Sequence, residues 1–309
     1  MSHTELGFIE QLDLTLRAGL TGFSAPFKDR HARFVLDRQM PDGGFRGRRG
    51  GSDIYYTDFA LRTLAALGRL DEVHESVADH VLNASRQSRH LADVFNALNA
   101  ARLLRPCGRT VPLDRRVMLA RLDAQRLPTG GFARRAGALG VSSAVNTLLA
   151  LLCYAMLDEP CPEPTRVASA LAALRRDDGG YAERPDDPAS QTAATAAVAV
   201  CRVVLGLPLS ASEAERMTAF FFVMQAADGG VRAHAACETG DLLSTFNALS
   251  ALSVMPAPRA IDAVALARFL KATACPDGGF RADRLPGEAD IEYTCYGLGV
   301  AALLRVRQN

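Results

Sequence analysis

A short glycine-containing phrase recurs five times and constrains the fold more than any other feature of this chain. It reads Asp-Gly-Gly followed by an aromatic residue, or a close variant, at 42–45, 129–132, 178–181, 228–231 and 277–280. The last four copies follow one another at intervals of 49 or 50 residues. The gap between the first two copies is close to two shorter intervals, which indicates one further unit without its glycines. A period of this length is typical of helical repeats, so we predict six units.

Each unit has the pattern of a helix pair. Amphipathic segments precede the glycines at 30–39, 115–125, 165–175, 212–225 and 260–272. Segments that are apolar nearly all round occur at 53–67, 91–104, 142–156, 191–205, 241–254 and 290–306, and strand alternation is absent. Helices of the second kind must be buried on most sides. We therefore predict an all-α fold, an (α/α)6 toroid of six helix pairs with an inner and an outer ring.

Composition narrows the range of functions. The chain has 309 residues, is 49% hydrophobic and carries a net charge of +1, which argues against disorder and against a nucleic-acid partner. We expect one domain over 1–309, with a lead-in helix within 1–26. The seven scattered cysteines suit reduced thiols. No signal peptide and no membrane-spanning stretch is evident, so we expect a cytoplasmic protein.

The starts of the inner helices are the places where chemistry is expected. In a ring these helices all begin at one end, so their first turns and dipoles surround one mouth. Polar and aromatic candidates for substrate binding there are Tyr55, Tyr56, Asp58, His90, Asp93 and Asp241. Arg46 and Arg48, in the preceding loop, are candidates to clamp phosphate oxygens. Asp53, Asp241 and Asp290 have a competing interpretation as helix caps.

The first unit carries a family resemblance. Its segment 39–45, followed by Arg46, Arg48 and the run 53–57, resembles the repeat of protein prenyltransferase β subunits. It is also similar to the repeat of squalene and terpene cyclases, and the resemblance extends from about Phe27 to Arg305. It implies an α/α toroid that takes an isoprenoid substrate. For the transferases it also implies a helical partner subunit.

The prenyltransferase comparison implies a zinc site that this chain matches only in part. Asp241 matches the aspartate ligand, but Leu243 stands where the cysteine is required and Tyr293 where the histidine is required. We therefore predict no zinc and no other resident cofactor, with magnesium expected only beside a diphosphate substrate.

The cyclase comparison implies a proton donor at the start of the sixth inner helix. Asp290 matches the first position of the acidic motif, Glu292 falls on the acid, and Tyr293 replaces the last aspartate. Ring closure would bring these residues to the first unit, so we predict one site. Its catalytic candidates are Glu292, Asp290, Tyr293 and Asp53. Phe246 and Tyr296 are predicted to line the same pocket, with Arg46, Arg48, Tyr55 and Tyr56 beside it.

Two functions remain open at this point. The first is an isoprenoid-handling prenyltransferase or terpene cyclase that holds a polyprenyl chain, with or without a diphosphate, in a central apolar cavity. The second is a non-catalytic toroid that binds a lipid or a partner protein. For Glu292 a structural alternative is an ion pair with Arg48 or Arg284. A homodimer and a helical partner subunit are both compatible with the sequence.

Overall fold

The computed structural model describes residues 7–137, 141–255 and 261–306. Its helices are α1 Phe8–Thr21, α2 Ala25–Leu36, α3 Ile54–Leu67, α4 Val77–Gln87, α5 Leu91–Leu104, α6 Arg115–Asp123, α7 Ala144–Met156, α8 Pro164–Ala172, α9 Thr192–Val204, α10 Ala211–Met224, α11 Leu242–Val254, α12 Ala263–Thr273 and α13 Ile291–Val306. Two short strands, β1 Phe45–Arg46 and β2 Ser52–Asp53, pair in antiparallel fashion. Within these ranges no helix has the length and apolar character needed to cross a bilayer.

The odd-numbered helices from α3 to α13 form a closed inner ring. Each packs against the next in chain order, and α13 packs against α3. The even-numbered helices α2 to α12 lie outside them. The predicted all-α toroid of six helix pairs is therefore confirmed, including the unit without a glycine pair, which is α4 with α5.

The glycine pairs explain how neighbouring units fit together. The first glycine of each pair has a positive φ, from 86° at Gly179 to 103° at Gly130. A Cβ atom on Gly43 would lie 2.4 Å from the Ser76 carbonyl oxygen on the next unit, and one on Gly278 would lie 2.6 Å from that of Arg30 in α2. Only glycine has both the conformation and the size for this approach. The contact of Gly278 closes the ring.

A buried threonine ties each glycine turn to the inner helix of its own unit. The residue after the second glycine donates its backbone N–H to the threonine hydroxyl, at 3.0 Å from Phe45 to Thr57 and 3.1 Å from Phe280 to Thr294. The same bond recurs at Thr147, Thr195 and Thr245. Each threonine also donates to the carbonyl four residues earlier, as in Thr57 to Asp53 at 2.6 Å. This arrangement fixes the first turn of the inner helices, where the candidate site lies.

The second unit replaces the glycine contact with an arginine. Arg121 of α6 donates to the backbone carbonyls of Ser85 and Arg86 at the end of α4. The last carbonyls of a helix lack partners within the helix, and here Arg121 supplies a charged donor to two of them. The unit therefore joins its neighbour without a glycine pair.

Several features go beyond the sequence pattern. The outer helices stop before the glycines, since α2 stops at Leu36 and the turn follows at Gly43. The chain between a glycine turn and its inner helix is extended enough to form the β1–β2 pair, although no strand was expected. Helix α1 lies within the predicted lead-in segment, but the repeat pattern does not indicate its role.

Helix α1 lies across the end of the ring where the inner helices terminate. It packs on α13 and α3 and also reaches α9 on the opposite side. A Cβ atom on Gly19 would lie 2.4 Å from the Ala302 carbonyl oxygen, so the two helices are in close backbone contact. Asp13 of α1 accepts a hydrogen bond from Arg102 of α5 at 2.5 Å. The ring is thus covered at this end, and its mouth lies at the other.

Candidate functional site

The lumen of the ring is lined by equivalent positions of the inner helices. The second, sixth and ninth residues of each inner helix lie on one face. The sixth and ninth follow the second by four and seven residues, which is about one and two helical turns. In α3 these are Tyr55, Phe59 and Arg62. Phe59 keeps 5% exposure and its equivalent Tyr296 keeps 7%, whereas the outward-facing Leu61 and Leu64 have none. The lumen-facing side chains therefore keep slightly more exposure than those that face the outer helices.

One wall of the lumen is apolar. It consists of small and branched side chains from α7 and α9: Val145, Leu149 and Leu152, with Ala193, Ala197 and Val200. These helices lie across the ring from α13 and α3. This wall suits a hydrocarbon ligand.

The opposite wall is aromatic. Tyr55, Phe59, Phe246, Tyr293 and Tyr296 form this aromatic wall, contributed by α3, α11 and α13. Ring centroids are 4.9 Å apart for Tyr55 and Phe59, 5.3 Å for Phe59 and Tyr296, and 5.4 Å for Phe246 and Tyr296. Tyr293 joins through Tyr296 at 6.4 Å. Ring closure therefore places predicted residues of the first, fifth and sixth units in one continuous surface.

Two glycines in α13 make room for this packing. A Cβ atom on Gly299 would lie 2.4 Å from the Phe246 ring, and one on Gly297 would lie 2.5 Å from the Phe280 ring. Both glycines are buried within the helix. The cost of glycine in a helix interior is offset here by the close approach of aromatic rings.

Glu292 stands at the mouth beside the aromatic wall. It is the second residue of α13 and is half-buried. Burial raises its pKa above the ordinary glutamate value, although the Tyr55 hydroxyl beside it partly opposes that shift. The raised pKa favours the protonated acid, which is the form required of a proton donor.

Asp290 lies just behind Glu292 and is fully engaged. Its side chain is 1% exposed and accepts a hydrogen bond from Arg48 Nε at 3.0 Å. It also accepts the backbone N–H of Glu292 at 2.8 Å. The ion pair across the ring closure is therefore made by Asp290, and the alternative in which Glu292 pairs with Arg48 is not what the structure shows. Asp290 holds the start of α13 in position.

Arg48 and the tyrosines complete the mouth. The Arg48 guanidinium lies 5.8 Å from the centroid of the Tyr293 ring. Burial raises the pKa of Tyr293 to about 12, with Glu292 adding to the effect. Burial also raises the pKa of Tyr55 far above its usual range, again with a contribution from Glu292. Both phenols stay neutral and can donate hydrogen bonds at physiological pH.

The other predicted aspartates act as caps or lie outside the lumen. Asp53 is exposed and accepts the Tyr56 N–H at 2.8 Å as the N-cap of α3. Tyr56 stacks edge-on against Tyr55 at 5.4 Å. Asp241 caps α11 through the N–H and hydroxyl of Ser244, at 2.8 and 2.7 Å. Asp53 therefore lies near the mouth, but its carboxylate serves as the N-cap of α3.

The remaining predicted residues are spread around the ring. Asp93 shares a cleft of about 500 Å³ with Tyr55, between α4 and the first turns of α3 and α5. Arg46 lines a second cleft of about 460 Å³ against α2 and the loop before α13. His90 precedes α5, and its buried Nδ1 has no hydrogen-bond partner. Asp58 is buried between α3 and α5, where it accepts from Asn99 Nδ2 at 2.7 Å. These four residues do not join the patch around Glu292.

Two residues of the mouth were not predicted. Phe59 follows Tyr55 by one helical turn, and this spacing indicates its place in the aromatic wall. Glu183, in the loop of the fourth unit, reaches the start of α7, where it accepts hydrogen bonds from Ser143 Oγ and the Val145 N–H. Its position depends on contact between units, which spacing along the chain does not indicate.

The residues at the prenyltransferase zinc position do not fit that metal. Leu243 offers no ligand atom, Tyr293 packs against Arg48 and Tyr296, and Asp241 is bonded to Ser244. No cluster of three or more His, Cys, Asp and Glu side chains suited to a metal occurs in the described ranges. The expectation that no zinc binds stays a prediction.

Comparison with known proteins now identifies the family. The chain matches the sequence model of the prenyltransferase α/α toroid domain over residues 12–88, 75–239 and 201–309. It belongs to the prenyltransferase α/α toroid family. A search of curated protein sequences finds no match.

Several solved structures share the fold of this toroid. Protein geranylgeranyltransferase-I from Candida albicans, complexed with GGPP, superposes with a TM-score of 0.68 at 13% identity, covering 88% of this chain and 89% of that one. The type II terpene cyclase MstE from Scytonema, bound to geranylgeranyl dihydroxybenzoate, gives 0.61 at 15% identity, covering 96% and 97%. An α-1,6-mannanase from Salegentibacter gives 0.59 at 9% identity, covering 91% and 98%. The fold therefore hosts unrelated chemistries, and function must be argued from the site.

Proposed function

We propose that this toroid binds an isoprenoid in its lumen and that Glu292 protonates a carbon–carbon double bond of the ligand to start cyclisation. The observation that carries this proposal is the position of Glu292. It is a half-buried carboxyl with a raised pKa, and it stands at one edge of the aromatic wall. A proton donor and cation-stabilising rings are the two components that such a reaction requires.

The proposed step balances as follows. The Glu292 carboxyl proton adds to one alkene carbon, and the π electrons form the new C–H bond, which leaves a carbocation on the other carbon. A second double bond of the ligand attacks that carbon and closes a ring. A proton on a carbon beside the final cation passes to water, and its C–H electrons restore an alkene, so the product is an isomer of the substrate. Water at the mouth returns one proton to the Glu292 carboxylate, so no net proton is consumed.

The aromatic wall is suited to the cationic intermediates. A cation near the face of an aromatic ring is stabilised by about 0.5–2 kcal/mol, with the larger value in desolvated sites. Phe59, Phe246 and Tyr296 are buried below Glu292 and offer such faces. The apolar wall on α7 and α9 keeps water away from the cation.

The Asp290–Arg48 pair supports the acid without taking part in proton transfer. Asp290 accepts the Glu292 N–H and is neutralised by Arg48, so it fixes the backbone of the donor. The charge of Asp290 raises the pKa of Glu292 and that of Arg48 lowers it, so the rise of this pKa comes chiefly from burial. The pair therefore acts on the position of the carboxyl.

The relatives add support for the isoprenoid class. The geranylgeranyltransferase-I structure contains GGPP, and the MstE structure contains a geranylgeranyl dihydroxybenzoate. A zinc-assisted transfer is less well supported, because Leu243 and Tyr293 replace two of the ligands that the prenyltransferase resemblance implies. The acid-initiated reaction uses residues that this chain has.

Glu292→Gln tests the proposal, with the exposed Glu215→Gln of α10 as the matched control. If Glu292 is the proton donor, Glu292→Gln should retain isoprenoid binding and the melting temperature of the wild type but lose turnover by at least a hundredfold. Glu215→Gln should change none of these. A wild-type protein that binds isoprenoids without converting any would support the second candidate, a non-catalytic lipid carrier. A lowered melting temperature with unchanged turnover would show that Glu292 is only structural.

A further inference from the structure

A partly buried arginine faces the lumen below the aromatic wall. Arg62 is the ninth residue of α3, and its side chain is 19% exposed. Its guanidinium lies 5.0 Å from the Phe59 ring centroid. Asp58 is the carboxylate that pairs with it, at 3.9 Å, which is beyond hydrogen-bond length. In the described residues this guanidinium donates no hydrogen bond, so its N–H groups are available to an anionic ligand.

Most of the neighbouring charges are satisfied by one another. Arg102 of α5 donates to Asp13 of α1 at 2.5 Å and to Asn99 Oδ1 at 2.7 Å. Asn99 in turn donates to Asp58 Oδ1, whereas Asp58 Oδ2 has no hydrogen-bond partner and faces Arg62. This chain of bonds links the covering helix α1 to the inner ring. Arg62 adjoins it only through the long contact with Asp58.

Asp58 is the charged neighbour of Arg62 on its own helix. Burial raises the pKa of Asp58 to about 6, and Arg62 is the foremost influence that opposes this rise. The 3.9 Å separation nevertheless leaves the guanidinium N–H groups without a hydrogen bond to this carboxylate. Pairing with Asp58 therefore leaves the hydrogen-bonding capacity of Arg62 available to a ligand.

Two further polar groups on the lumen face lack partners. Ser250 is the ninth residue of α11, equivalent to Arg62, and Asn96 is the sixth residue of α5, equivalent to Phe59. They are 6% and 4% exposed, and Ser250 Oγ and Asn96 Nδ2 are buried without a hydrogen-bond partner. Buried polar groups are nearly always paired. These two groups, within one helical turn of the unbonded guanidinium of Arg62, point to a ligand.

We propose that Arg62, with Ser250 and Asn96, binds the anionic head group of the isoprenoid at the covered end of the lumen. The ligand then lies with its charged oxygens toward α1 and a double bond toward Glu292. The chemical class is a short isoprenoid that carries a carboxylate or a phosphate. This inference rests on the proposed function for the hydrocarbon part of the ligand, and it adds the identity and direction of the head group.

The geometry sets the length of the ligand. Tyr55, which lies beside Glu292 at the mouth, and Arg62 are seven residues apart on one helix face, which is about 10 Å along the axis. The charged head and the reacting double bond therefore lie close together. This spacing favours a short chain over a long polyprenyl one. The planar guanidinium fork also matches the paired oxygens of a carboxylate or phosphate.

Three probes with the same hydrocarbon chain test the proposal: geraniol, geranic acid and geranyl phosphate. Their affinities are measured by calorimetry for the wild type, for Arg62→Met, and for Arg17→Met, an exposed arginine of α1 that serves as the control. We expect the wild type and Arg17→Met to bind at least one anionic probe about ten- to a hundredfold more tightly than geraniol. Arg62→Met should bind all three with the affinity of geraniol. The tighter of the two anionic probes then distinguishes a carboxylate from a phosphate ligand.

A further variant keeps the test valid if Arg62→Met leaves Asp58 uncompensated and fails to fold. Asp58→Asn/Arg62→Met removes both charges and should show the same loss of preference. Equal wild-type affinity for geraniol and both anions, or a preference that survives either variant, would overturn the head-group inference while leaving the proposed function intact. Failure of the wild type to bind any of the three probes would count against the proposed function, and the head-group inference would fall with it.

Discussion

Gly279→Ala probes the closure of the ring at the point where the last unit meets the first. Gly279 has a φ of 78°, and a Cβ atom there would lie 2.7 Å from the Phe34 ring of α2. Its N–H also donates to His31 Nδ1 at 3.0 Å. Phe34 is held on its other side by Arg38, whose guanidinium lies 3.6 Å from the ring centroid. The ring therefore has little room to move away from an added methyl group.

The matched control is Gly68→Ala at the end of α3. Gly68 has a φ of 72°, close to that of Gly279, but a Cβ atom there has no neighbour within 4 Å. The backbone strain of alanine at positive φ costs about 1–2 kcal/mol in both variants. Overpacking adds about 1–3 kcal/mol at Gly279 alone. We expect losses of about 2–5 kcal/mol for Gly279→Ala and about 1–2 kcal/mol for Gly68→Ala.

Urea denaturation followed by circular dichroism measures both losses in free energy of unfolding. Phe34→Leu in the Gly279→Ala background should recover part of the larger loss, because the methyl group then meets a smaller side chain. This recovery is a positive coupling between two residues 245 positions apart in the sequence. Equal losses in the two alanine variants, with no effect of Phe34→Leu, would refute the closed ring at this seam.

Three further predictions concern single sites. Because burial raises the folded-state pKa of Asp58 from 3.8 to about 6, the wild type should lose stability relative to Asp58→Asn as pH rises from about 4 to about 6, by roughly 1–3 kcal/mol in total. A difference that stays constant between about pH 4 and 7 in urea titrations would contradict this. Arg121→Ala should destabilise the toroid by about 1–3 kcal/mol, since the charged hydrogen bonds that join α6 to the end of α4 are lost; an unchanged denaturation midpoint would count against that account of the second unit. Wild-type protein should contain no stoichiometric zinc, whereas Leu243→Cys/Tyr293→His should gain about one equivalent by elemental analysis and Leu243→Ser/Tyr293→His should not; zinc in the wild type would show our assignment of this position to be wrong.

Much of the fold is readable from the sequence because it is repetitive. The glycine pairs, the polar loops and the apolar second helices recur with one period, and the predicted segment 91–104 coincides with α5. Ring closure also follows, since six units with inner helices buried on most sides leave no exposed end. The juxtaposition of Tyr55 with Glu292 follows from closure in turn.

The parts that were not predicted depend on contacts between units or on side-chain geometry. Helix α1 has no equivalent in the repeat, so the pattern does not indicate that it covers one end of the ring. Arg48 pairs with Asp290 rather than with Glu292 because these two carboxyl groups, two residues apart, point in different directions. Arg62 was overlooked because an arginine in an apolar helix is ordinarily read as part of an outward-facing surface.

The most direct test of the account follows the proton that Glu292 is proposed to deliver. Wild-type protein is incubated in D2O with short isoprenoids that carry alcohol, carboxylate or phosphate head groups, and the products are analysed by mass spectrometry and NMR. We predict a cyclic isomer that carries one deuterium at the protonated alkene carbon, formed by the wild type and by Glu215→Gln but not by Glu292→Gln. A cyclic product without deuterium, or an equally labelled product from Glu292→Gln, would contradict the central claim.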